Sequence, residues 1–325
     1  MEKLFISTNK QNLFNCYTKE QMGAEAVISE AEFYEEPEKY VGVKYIFSTW
    51  NMPSFSEQEI KKYLPDLKAV FYAAGTVGYF AEPFLKCGVR IFSAWKANAV
   101  PVAEFTAAQI ILSNKGYFQL SEKYRSGWEK ASSYGNSFSG NYHTRVGLIG
   151  LGQISQKVIE LLRPYDLEIY VYSKHLTEQA AGEMKVIKAD LPEIFEKCQT
   201  ISNHLANKPD TVGMLNKSLF DLMSPNATFI NTGRGAQVNM EDLKAAMKEY
   251  PDRTALLDVT DPTEPLLPEN DIWEIPNIYI TPHRAGSATN EIKRMGEYMI
   301  SECEHFINNE VCSNEVTQQM LKTMA

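Results

Sequence analysis

Short apolar runs alternate with stretches of helical periodicity along almost the whole chain, and this alternation limits the fold more than any other feature. The apolar runs span residues 3–8, 24–29, 44–49, 68–75, 89–94, 145–150, 167–172, 200–205, 227–233, 254–259 and 277–282. Strands that alternate with helices form parallel sheets, because two parallel neighbours need a crossover segment between them. The sequence therefore predicts an α/β protein with parallel sheets.

Helical periodicity fills the segments between these runs. It predicts helices over residues 56–64, 79–88, 101–124, 153–162, 216–223, 241–250 and 288–310, and Pro101 suits the first turn of the third one. A polar stretch rich in glycine and serine, residues 131–144, is typical of a loop. Because 325 residues exceed the usual size of one core, we expect two domains, and the strand that begins at Arg145 opens the second.

Charge, hydropathy and cysteine usage exclude several classes of protein. The net charge of −9 makes the surface repel phosphate backbones, so nucleic-acid binding is not expected. No apolar run approaches the ~18 residues of a membrane span, and the first residues lack the apolar run of a secretory signal. The five cysteines form no C-x-x-C pair, and no His, Cys or Asp spacing is typical of a metal site. We therefore expect a cytoplasmic protein with reduced thiols, no membrane contact and no bound metal.

The segment GLIGLGQIS follows an apolar strand and opens an amphipathic helix. Gly150 and Gly152 take the first two glycine places of a dinucleotide-binding turn, and Ser155 takes the third. The first glycine gives the turn its φ freedom, the second lets a pyrophosphate approach the backbone, and a small third residue lets helix and strand pack closely. Gln153 and Ile154 begin the helix, whose N-terminal N–H groups would face the phosphates. A purely structural turn is the alternative.

The next predicted strand ends at Ser173, Lys174 and His175. NAD sites usually carry an acidic residue at this place, which binds the ribose hydroxyls. A small hydroxyl followed by a cation suits a ribose 2′-phosphate instead, so Ser173 and Lys174 favour NADP(H) over NAD(H). The alternative is that Lys174 and His175 lie in a solvated loop and that the cofactor is NAD(H).

Three further stretches, NTGRG, DVTDPTEP and TPHRAGSAT, each follow a predicted strand, where open α/β sheets place their ligands. Arg234 lies between two glycines, Glu264 lies in a proline-rich loop, and His283 follows a proline. A histidine exchanges protons near neutral pH, and a carboxylate bonded to its other ring nitrogen orients the ring and favours its charged form. An arginine can fork onto a substrate carboxylate. Together the three fit hydride exchange at a C–OH or C=O carbon, although each alone is also compatible with a surface position.

The motifs GLIGLGQIS, INTGRGAQVN and ALLDVTDPTEPLLPENDIWEIPNIYITPHRAGSAT resemble those of the D-isomer-specific 2-hydroxyacid dehydrogenases, which use NAD(P). Weaker matches, VPVAEF and LPDLKAVFYAAGTVG, extend the resemblance over nearly the whole chain. It implies a Rossmann-type cofactor domain, residues 104–294, inserted into a flavodoxin-like substrate domain, residues 1–103 with 295–325. It also implies a homodimer that forms through the cofactor domain.

The resemblance assigns roles to individual residues. Arg234 matches the family's substrate-binding arginine, Glu264 the partner of the catalytic histidine, and His283 the acid/base. Asp258 matches the residue that contacts the nicotinamide amide. The other strand ends implied to bind the cofactor carry His204, Thr232 and Gly233. For His204, a packed structural role is an equal alternative.

The N-terminal part of the resemblance concerns the substrate. Gly75, Thr76 and Val77 fall where family members bind the substrate carboxylate through backbone N–H groups. Trp50 lies in a loop that tunes substrate choice, where it would form a bulky wall; a core tryptophan is the alternative. The chain departs from the family pattern at four positions without losing the catalytic trio: Ser155, Ser173, Ala206 and Asn239.

The implied activity is hydride transfer between NAD(P)H and a 2-keto acid or D-2-hydroxy acid, similar to that of glyoxylate and hydroxypyruvate reductases. The alternative is a binding protein that senses NAD(H), similar to the transcriptional corepressors that share this fold. Retention of Arg234, Glu264 and His283 does not decide between these two functions.

Overall fold

The computed structural model describes residues 2–321, which divide into two compact units that each contain one sheet. Unit 1 comprises Met1–Ala99 and Gly286–Ala325, and unit 2 comprises Val100–Ala285. The strands are β1 (Lys3–Ser7), β2 (Ala26–Ser29), β3 (Tyr45–Ser48), β4 (Ala69–Tyr72), β5 (Arg90–Ser93), β6 (Tyr142–Ile149), β7 (Asp166–Tyr172), β8 (Ile187–Lys188), β9 (Thr200–Asn203), β10 (Thr228–Asn231), β11 (Thr254–Leu257), β12 (Ile278–Ile280) and β13 (Glu315–Val316).

Helices connect these strands. They are α1 (Lys10–Cys16), α2 (Lys19–Met22), α3 (Glu30–Glu35), α4 (Glu57–Tyr63), α5 (Ala81–Lys86), α6 (Trp95–Asn114), α7 (Tyr117–Tyr124), α8 (Trp128–Gly135), α9 (Gln153–Leu162), α10 (Glu178–Met184), α11 (Leu191–Lys197), α12 (Lys217–Phe220), α13 (Met240–Glu249), α14 (Thr289–Ile307) and α15 (Gln318–Leu321). The predicted α/β class with parallel sheets is confirmed.

Unit 1 contains a six-stranded sheet in the order β13-β5-β4-β3-β1-β2. The neighbouring strands are parallel except β13, which pairs antiparallel with β5. Side chains of β1 alternate between the two faces, so that Leu4 and Ile6 pack in one core cluster and Phe5 in another. Both faces are therefore covered, as is usual for parallel strands.

Unit 2 contains a seven-stranded parallel sheet in the order β12-β11-β10-β9-β6-β7-β8. The chain progresses in one direction from β6 to β8 and in the other from β9 to β12, so the reversal falls between β6 and β9. Ligands of doubly wound sheets bind outside the carboxyl ends of the strands at such a reversal. The loops that follow β6 and β9 start side by side there, since the His204 N–H donates to the Ile149 carbonyl at 2.8 Å.

The single helix predicted over residues 101–124 is wrong at its start and in its middle. The helix begins earlier, at Trp95, and Pro101 lies inside it rather than in its first turn. It ends at Asn114, and α7 begins after Gly116, which has a φ of +67°. A Cβ at Gly116 would lie 2.5 Å from the Phe138 ring, so the close approach of that ring requires glycine at the break.

The loop predicted over residues 131–144 is partly wrong as well. Helix α8 covers the beginning of this stretch and buries Ala131, and β6 covers its end from Tyr142 onward. Serine and glycine are weak helix formers, so the polar composition concealed one turn of helix that a buried residue stabilises.

The junctions between the units fall at Ala99/Val100 and Ala285/Gly286. The sequence prediction set them later, after residues 103 and 294. Ala103 packs in a core cluster of unit 2, whereas Ile292 packs in a core cluster of unit 1, which accounts for the two differences. Within residues 2–321, no helix is both long and apolar enough to cross a membrane.

Candidate active site

The turn between β6 and α9 has the geometry that its two glycines require. Gly150 has a φ of +95°, and a Cβ there would lie 2.7 Å from the His204 carbonyl oxygen. Gly152 is the N-cap of α9 and is exposed, and apart from its chain neighbours no heavy atom of the described chain lies within 4 Å of the position of a Cβ there. The first glycine therefore packs the turn against the neighbouring loop, and the second leaves the backbone open on its outer side.

Ser155, which replaces the third glycine, stabilises this turn. Its side chain is fully buried, and its hydroxyl donates to the Gly150 carbonyl at 2.8 Å. The hydroxyl thus satisfies a carbonyl of the turn that a glycine at this place would leave without this partner. The substitution keeps the turn closed instead of opening it.

The residues of this turn fit the diphosphate of a nicotinamide dinucleotide. Gln153 is exposed and Ile154 is half-buried in the first turn of α9, where N–H groups lack helical partners. Such a helix end binds anionic oxygens through N–H groups and the positive end of the helix dipole. The open side of Gly152 leaves room for a phosphate to approach the backbone.

At the end of β7, Ser173 is half-buried and the two following residues are exposed. Lys174 Nζ forms an ion pair with Asp210 Oδ2 at 2.9 Å, and the hydrogen bond raises the pKa of Lys174 and lowers that of Asp210. Asp210 lies in the loop after β9, and nothing in the sequence connects it with this position. The cation predicted for a 2′-phosphate is thus already paired with an acidic side chain.

Arg234 lies in a tight turn that follows β10. A Cβ at Gly235 would lie 2.0 Å from the Thr260 carbonyl oxygen, so only glycine fits after the arginine. Arg234 is partly buried, and its Nη1 donates to the Gly233 carbonyl at 2.7 Å. Burial lowers the pKa of the Arg234 guanidinium, and the negative charge of Glu264 acts in the opposite direction.

Three fully buried amide side chains support this turn, and sequence reasoning missed all of them. Asn203 Nδ2 donates to Asn231 Oδ1 at 3.0 Å and to Gln237 Oε1 at 2.6 Å. The backbone N–H groups of Gly233 and Arg234 donate to Asn231 Oδ1 and Gln237 Oε1, at 3.1 and 3.2 Å. We call Asn203, Asn231 and Gln237 the amide network; it fixes the turn with neutral groups only.

His283 lies in the loop between β12 and α14. Its φ is +51°, a left-handed conformation that is uncommon for a residue with a side chain. Its N–H donates to the Thr281 carbonyl at 2.9 Å and to the Asp258 carbonyl at 3.0 Å. Its ring Nδ1 pairs with Glu264 Oε1, and both side chains are partly exposed.

Asp258 holds the same loop through its carboxylate and is buried. Oδ1 accepts the Thr281 hydroxyl at 2.6 Å and the Arg284 N–H at 2.9 Å, and Oδ2 accepts the Ala285 N–H at 2.9 Å. The sequence assigned Asp258 to the cofactor only. Its role in holding the residues on both sides of His283 is a finding of the structure.

His204 is a packed, neutral histidine. Its Nε2 lies 3.0 Å from the Ser202 hydroxyl, and its Nδ1 lies 3.4 Å from the Thr232 hydroxyl, which lies 3.2 Å from that of Thr106. Burial lowers the pKa of His204 to about 3. The side chain therefore has structural partners, and its carbonyl forms the surface against which Gly150 packs.

The candidate substrate residues lie in unit 1. Gly75 and Thr76 are half-buried and Val77 is fully buried, and the Gly75 carbonyl accepts the Ser93 hydroxyl at 2.7 Å. Trp50 is half-buried and packs against both core clusters of unit 1.

Unit 2 contains Arg234, Glu264 and His283 together with all the residues predicted to bind the cofactor. Among residues 2–321, no group of three or more His, Cys, Asp or Glu side chains is arranged to hold a metal ion.

Residues 107–285, more than half of the chain, match the sequence model of the family described as "D-isomer specific 2-hydroxyacid dehydrogenase, NAD binding domain". The chain belongs to this family. A glyoxylate reductase/hydroxypyruvate reductase of Mus musculus is 33% identical over 171 residues, 52% of this chain and 52% of that protein. A D-3-phosphoglycerate dehydrogenase of Methanocaldococcus jannaschii is 26% identical over 231 residues, 70% of this chain and 43% of that protein.

The matched segments span 43 to 60% of the lengths of the curated relatives. In fold, the chain is similar to the apo form of Rhodotorula graminis D-mandelate dehydrogenase, with a TM-score of 0.78, 16% identity and 98% of each chain covered. This similarity confirms the two-domain Rossmann-like architecture.

Proposed function

We propose that this protein is an NAD(P)-dependent D-2-hydroxyacid dehydrogenase that reduces a small 2-keto acid, or oxidises the corresponding D-2-hydroxy acid. The observation that carries the proposal is the pairing of His283 Nδ1 with Glu264 at the same sheet edge as Arg234 and the open Gly152 turn. The name of the mouse relative supports glyoxylate or hydroxypyruvate as substrate.

The residues of the trio divide the chemistry between them. The nicotinamide cofactor supplies or accepts the hydride at the substrate carbon when it is bound. Arg234 forks onto the substrate carboxylate and polarises the carbonyl, and a partly buried guanidinium does this more strongly than a solvated one. Pairing of Nδ1 with Glu264 assigns proton transfer to His283 Nε2, which gives its proton to the carbonyl oxygen as the C–H bond forms. Glu264 stabilises the imidazolium that donates that proton.

The remaining roles follow from the resemblance. We propose the backbone N–H groups of Gly75, Thr76 and Val77 as donors to the substrate carboxylate, and Trp50 as a wall for the substrate side chain. We propose Asp258 as the acceptor for the nicotinamide amide in addition to its role in the loop, since its Oδ2 accepts one described hydrogen bond and can accept a second.

For the cofactor we propose NADP(H), with NAD(H) as the rival. Exposed ion pairs are weak, so a 2′-phosphate, with two negative charges at most, can replace Asp210 as the partner of Lys174. Asp210→Asn should then tighten NADPH more than NADH, as measured by quenching of protein fluorescence, and Ser173→Asp should do the reverse. Equal effects on the two cofactors would contradict a 2′-phosphate site.

We also propose a homodimer that forms through unit 2. Four aromatic side chains between residues 117 and 142 of this unit are exposed: Tyr117, Tyr124, Trp128 and Tyr142, at 54, 59, 66 and 66%. Exposed aromatic groups are typical of interface centres. Sedimentation should give twice the chain mass, and Trp128→Glu should give the monomer.

The described cysteines are all free thiols, which supports a cytoplasmic location.

The experiment that tests the activity follows absorbance at 340 nm. NADH or NADPH is mixed with the protein and with glyoxylate, hydroxypyruvate, pyruvate or phenylpyruvate. We expect loss of absorbance with at least one acid. Cofactor binding without turnover of any acid would contradict the proposal and favour a protein that senses NAD(H).

A further inference from the structure

Two loops of unit 1 carry the residues proposed to meet the substrate. The loop after β3, residues 49–56, contains Trp50, and the loop after β4, residues 73–80, contains Gly75 to Val77. Hydrogen bonds join the two loops at two places. At their base, the buried Thr49 hydroxyl donates to the Ala73 carbonyl at 2.9 Å.

The second connection lies at the outer part of the loops and involves one hydroxyl group. The Met52 N–H donates to Tyr79 Oη at 3.0 Å, and the Tyr72 hydroxyl lies 3.4 Å from the same oxygen. The Tyr79 ring packs edge-on against Phe80 at 5.0 Å. The Tyr79 side chain is half-exposed as a whole, but burial raises the pKa of its phenol, and the contacts with Tyr72 and Met52 act in the opposite direction.

The backbone of the first loop is held on its other side by the N-terminal strand. The Ser7 hydroxyl and Asn12 Nδ2 donate to the Trp50 carbonyl at 3.0 and 3.3 Å, and the Thr8 N–H donates to the Asn51 carbonyl at 2.8 Å. Asn51 has a φ of +62°, so the loop turns sharply between the two sets of contacts. Met52 is therefore the residue through which the outer part of the first loop is bonded to the second loop.

We propose that Tyr79 is a positioning residue that sets substrate size selection: its hydroxyl fastens Met52 and thereby fixes the Trp50 side chain relative to the Gly75–Val77 loop. This inference rests on the proposed function. With the hydroxyl in place, Trp50 forms a fixed wall that suits a small 2-keto acid such as glyoxylate. Without it, residues 50 and 51 keep their bonds to Ser7, Thr8 and Asn12, but Met52 loses the bond that joins it to the second loop. The wall can then move away from the second loop and admit a larger substrate side chain.

The test is Tyr79→Phe, which removes one oxygen and keeps the ring against Phe80. One lost neutral hydrogen bond, about 1 kcal/mol, corresponds to about a 5-fold effect. We expect the ratio of kcat/KM for glyoxylate to kcat/KM for phenylpyruvate to fall about 5-fold, mainly through KM. The kcat with glyoxylate and the Kd for the dinucleotide should stay within about twofold, because the variant leaves the proposed chemistry untouched.

Tyr34→Phe is the matched control, since it removes a hydroxyl that bonds Glu59 in the same unit at 2.9 Å and keeps the Tyr34 ring against Phe55 of the first loop. The bond between Met52 and Tyr79 stays in place in this variant. A readout independent of activity is amide hydrogen exchange of the peptide that contains Met52. Exchange should be faster in the Tyr79 variant and unchanged in the control.

If the wild-type protein is active but Tyr79→Phe leaves the selectivity ratio or the exchange at Met52 unchanged, this inference alone is overturned. Absence of turnover by the wild-type protein would overturn the proposed function, and the selectivity role of Tyr79 with it.

Discussion

Two loops at the same edge of the unit 2 sheet present the candidate catalytic side chains, and they are held by opposite kinds of chemistry. The Arg234 turn rests on the amide network, which is neutral and fully buried. The His283 loop rests on the carboxylates of Asp258 and Glu264, and the His283 side chain is 49% exposed. The backbone of the Arg234 turn is held by uncharged side chains, and the His283 loop is held by charged ones.

The difference fits the roles that we propose for the two side chains. A buried carboxylate beside Arg234 would compete with the substrate carboxylate for the guanidinium, whereas amides orient the turn without that competition. In the proposed reaction His283 alternates between two charge states, and a carboxylate partner stabilises the charged one. His204 provides the contrast within the same sheet, because hydroxyl partners and burial keep it neutral.

The largest expected effect comes from His283→Gln. Glutamine can still bond Glu264 but cannot transfer a proton, and general acid–base catalysis contributes about 10²–10⁴-fold. Single-turnover reduction of the keto acid should slow by that factor while cofactor affinity stays within about twofold. His143→Gln, at an exposed histidine of the same unit, should leave the rate unchanged. A rate above a tenth of wild type in the His283 variant would remove the residue from its role.

The second prediction concerns the stability that the amide network gives to the Arg234 turn. Asn231→Leu removes an acceptor for Asn203 and for the Gly233 N–H and leaves both donors buried without it. Urea unfolding should show a loss of about 2 kcal/mol, since an unsatisfied buried group costs about 1–3 kcal/mol. The KM of the keto acid should rise because the Arg234 turn moves. A variant as stable as wild type would show that the amide network does not fix this turn.

His204 predicts a pH dependence of stability. Its pKa is lowered to about 3 in the folded chain, from about 6.5 in an unfolded one. Below pH 6.5 the unfolded chain binds a proton that the folded chain does not, so stability falls as the pH falls from 6.5 towards 3. The slope attributable to this group approaches about 1.4 kcal/mol per pH unit. Denaturation of His204→Asn between pH 6 and pH 4 should show a flatter dependence; an identical slope would contradict burial of a neutral His204.

The smallest expected effect concerns the Asp258 carboxylate, which holds the His283 loop. Thr281→Val removes the hydroxyl that donates to Asp258 and keeps the shape of the side chain. We expect kcat to fall about 5-fold, the equivalent of one modest hydrogen bond, with less loss of stability than Asn231→Leu causes. Thr281→Ser should restore the rate. Failure of serine to do so would indicate that the methyl group, and not the hydroxyl, holds the loop.

Much of the site could be predicted because its chemistry depends on uncommon residues at strand ends. The glycine turn at Gly150 stands out in sequence, and so does the joint pattern of Arg234, Glu264 and His283. Alternation of strands and helices is enough to bring strand ends to one edge. The pairing of His283 with Glu264 follows from their residue types and is present in the structure.

The supporting residues could not be predicted, because nothing local distinguishes them. Asn203 and Asn231 are ordinary polar residues at the ends of β9 and β10, and Gln237 lies in the turn that follows β10. The bond between Asn203 and Asn231 depends on the register of β9 against β10. The partner of Lys174 lies 36 residues away along the chain. The break of the long helix at Gly116 depends on a ring that packs there from Phe138. In each case the deciding contact is tertiary.

The most direct measurement is the product of a complete reaction. Wild-type protein, NADPH or NADH and the best 2-keto acid are allowed to react to completion, and the hydroxy acid is resolved by chiral chromatography. We predict one equivalent of the D-2-hydroxy acid for each equivalent of cofactor oxidised, and none with His283→Gln in the same time. Formation of the L-isomer, or oxidation of the cofactor without a hydroxy acid, would contradict the account.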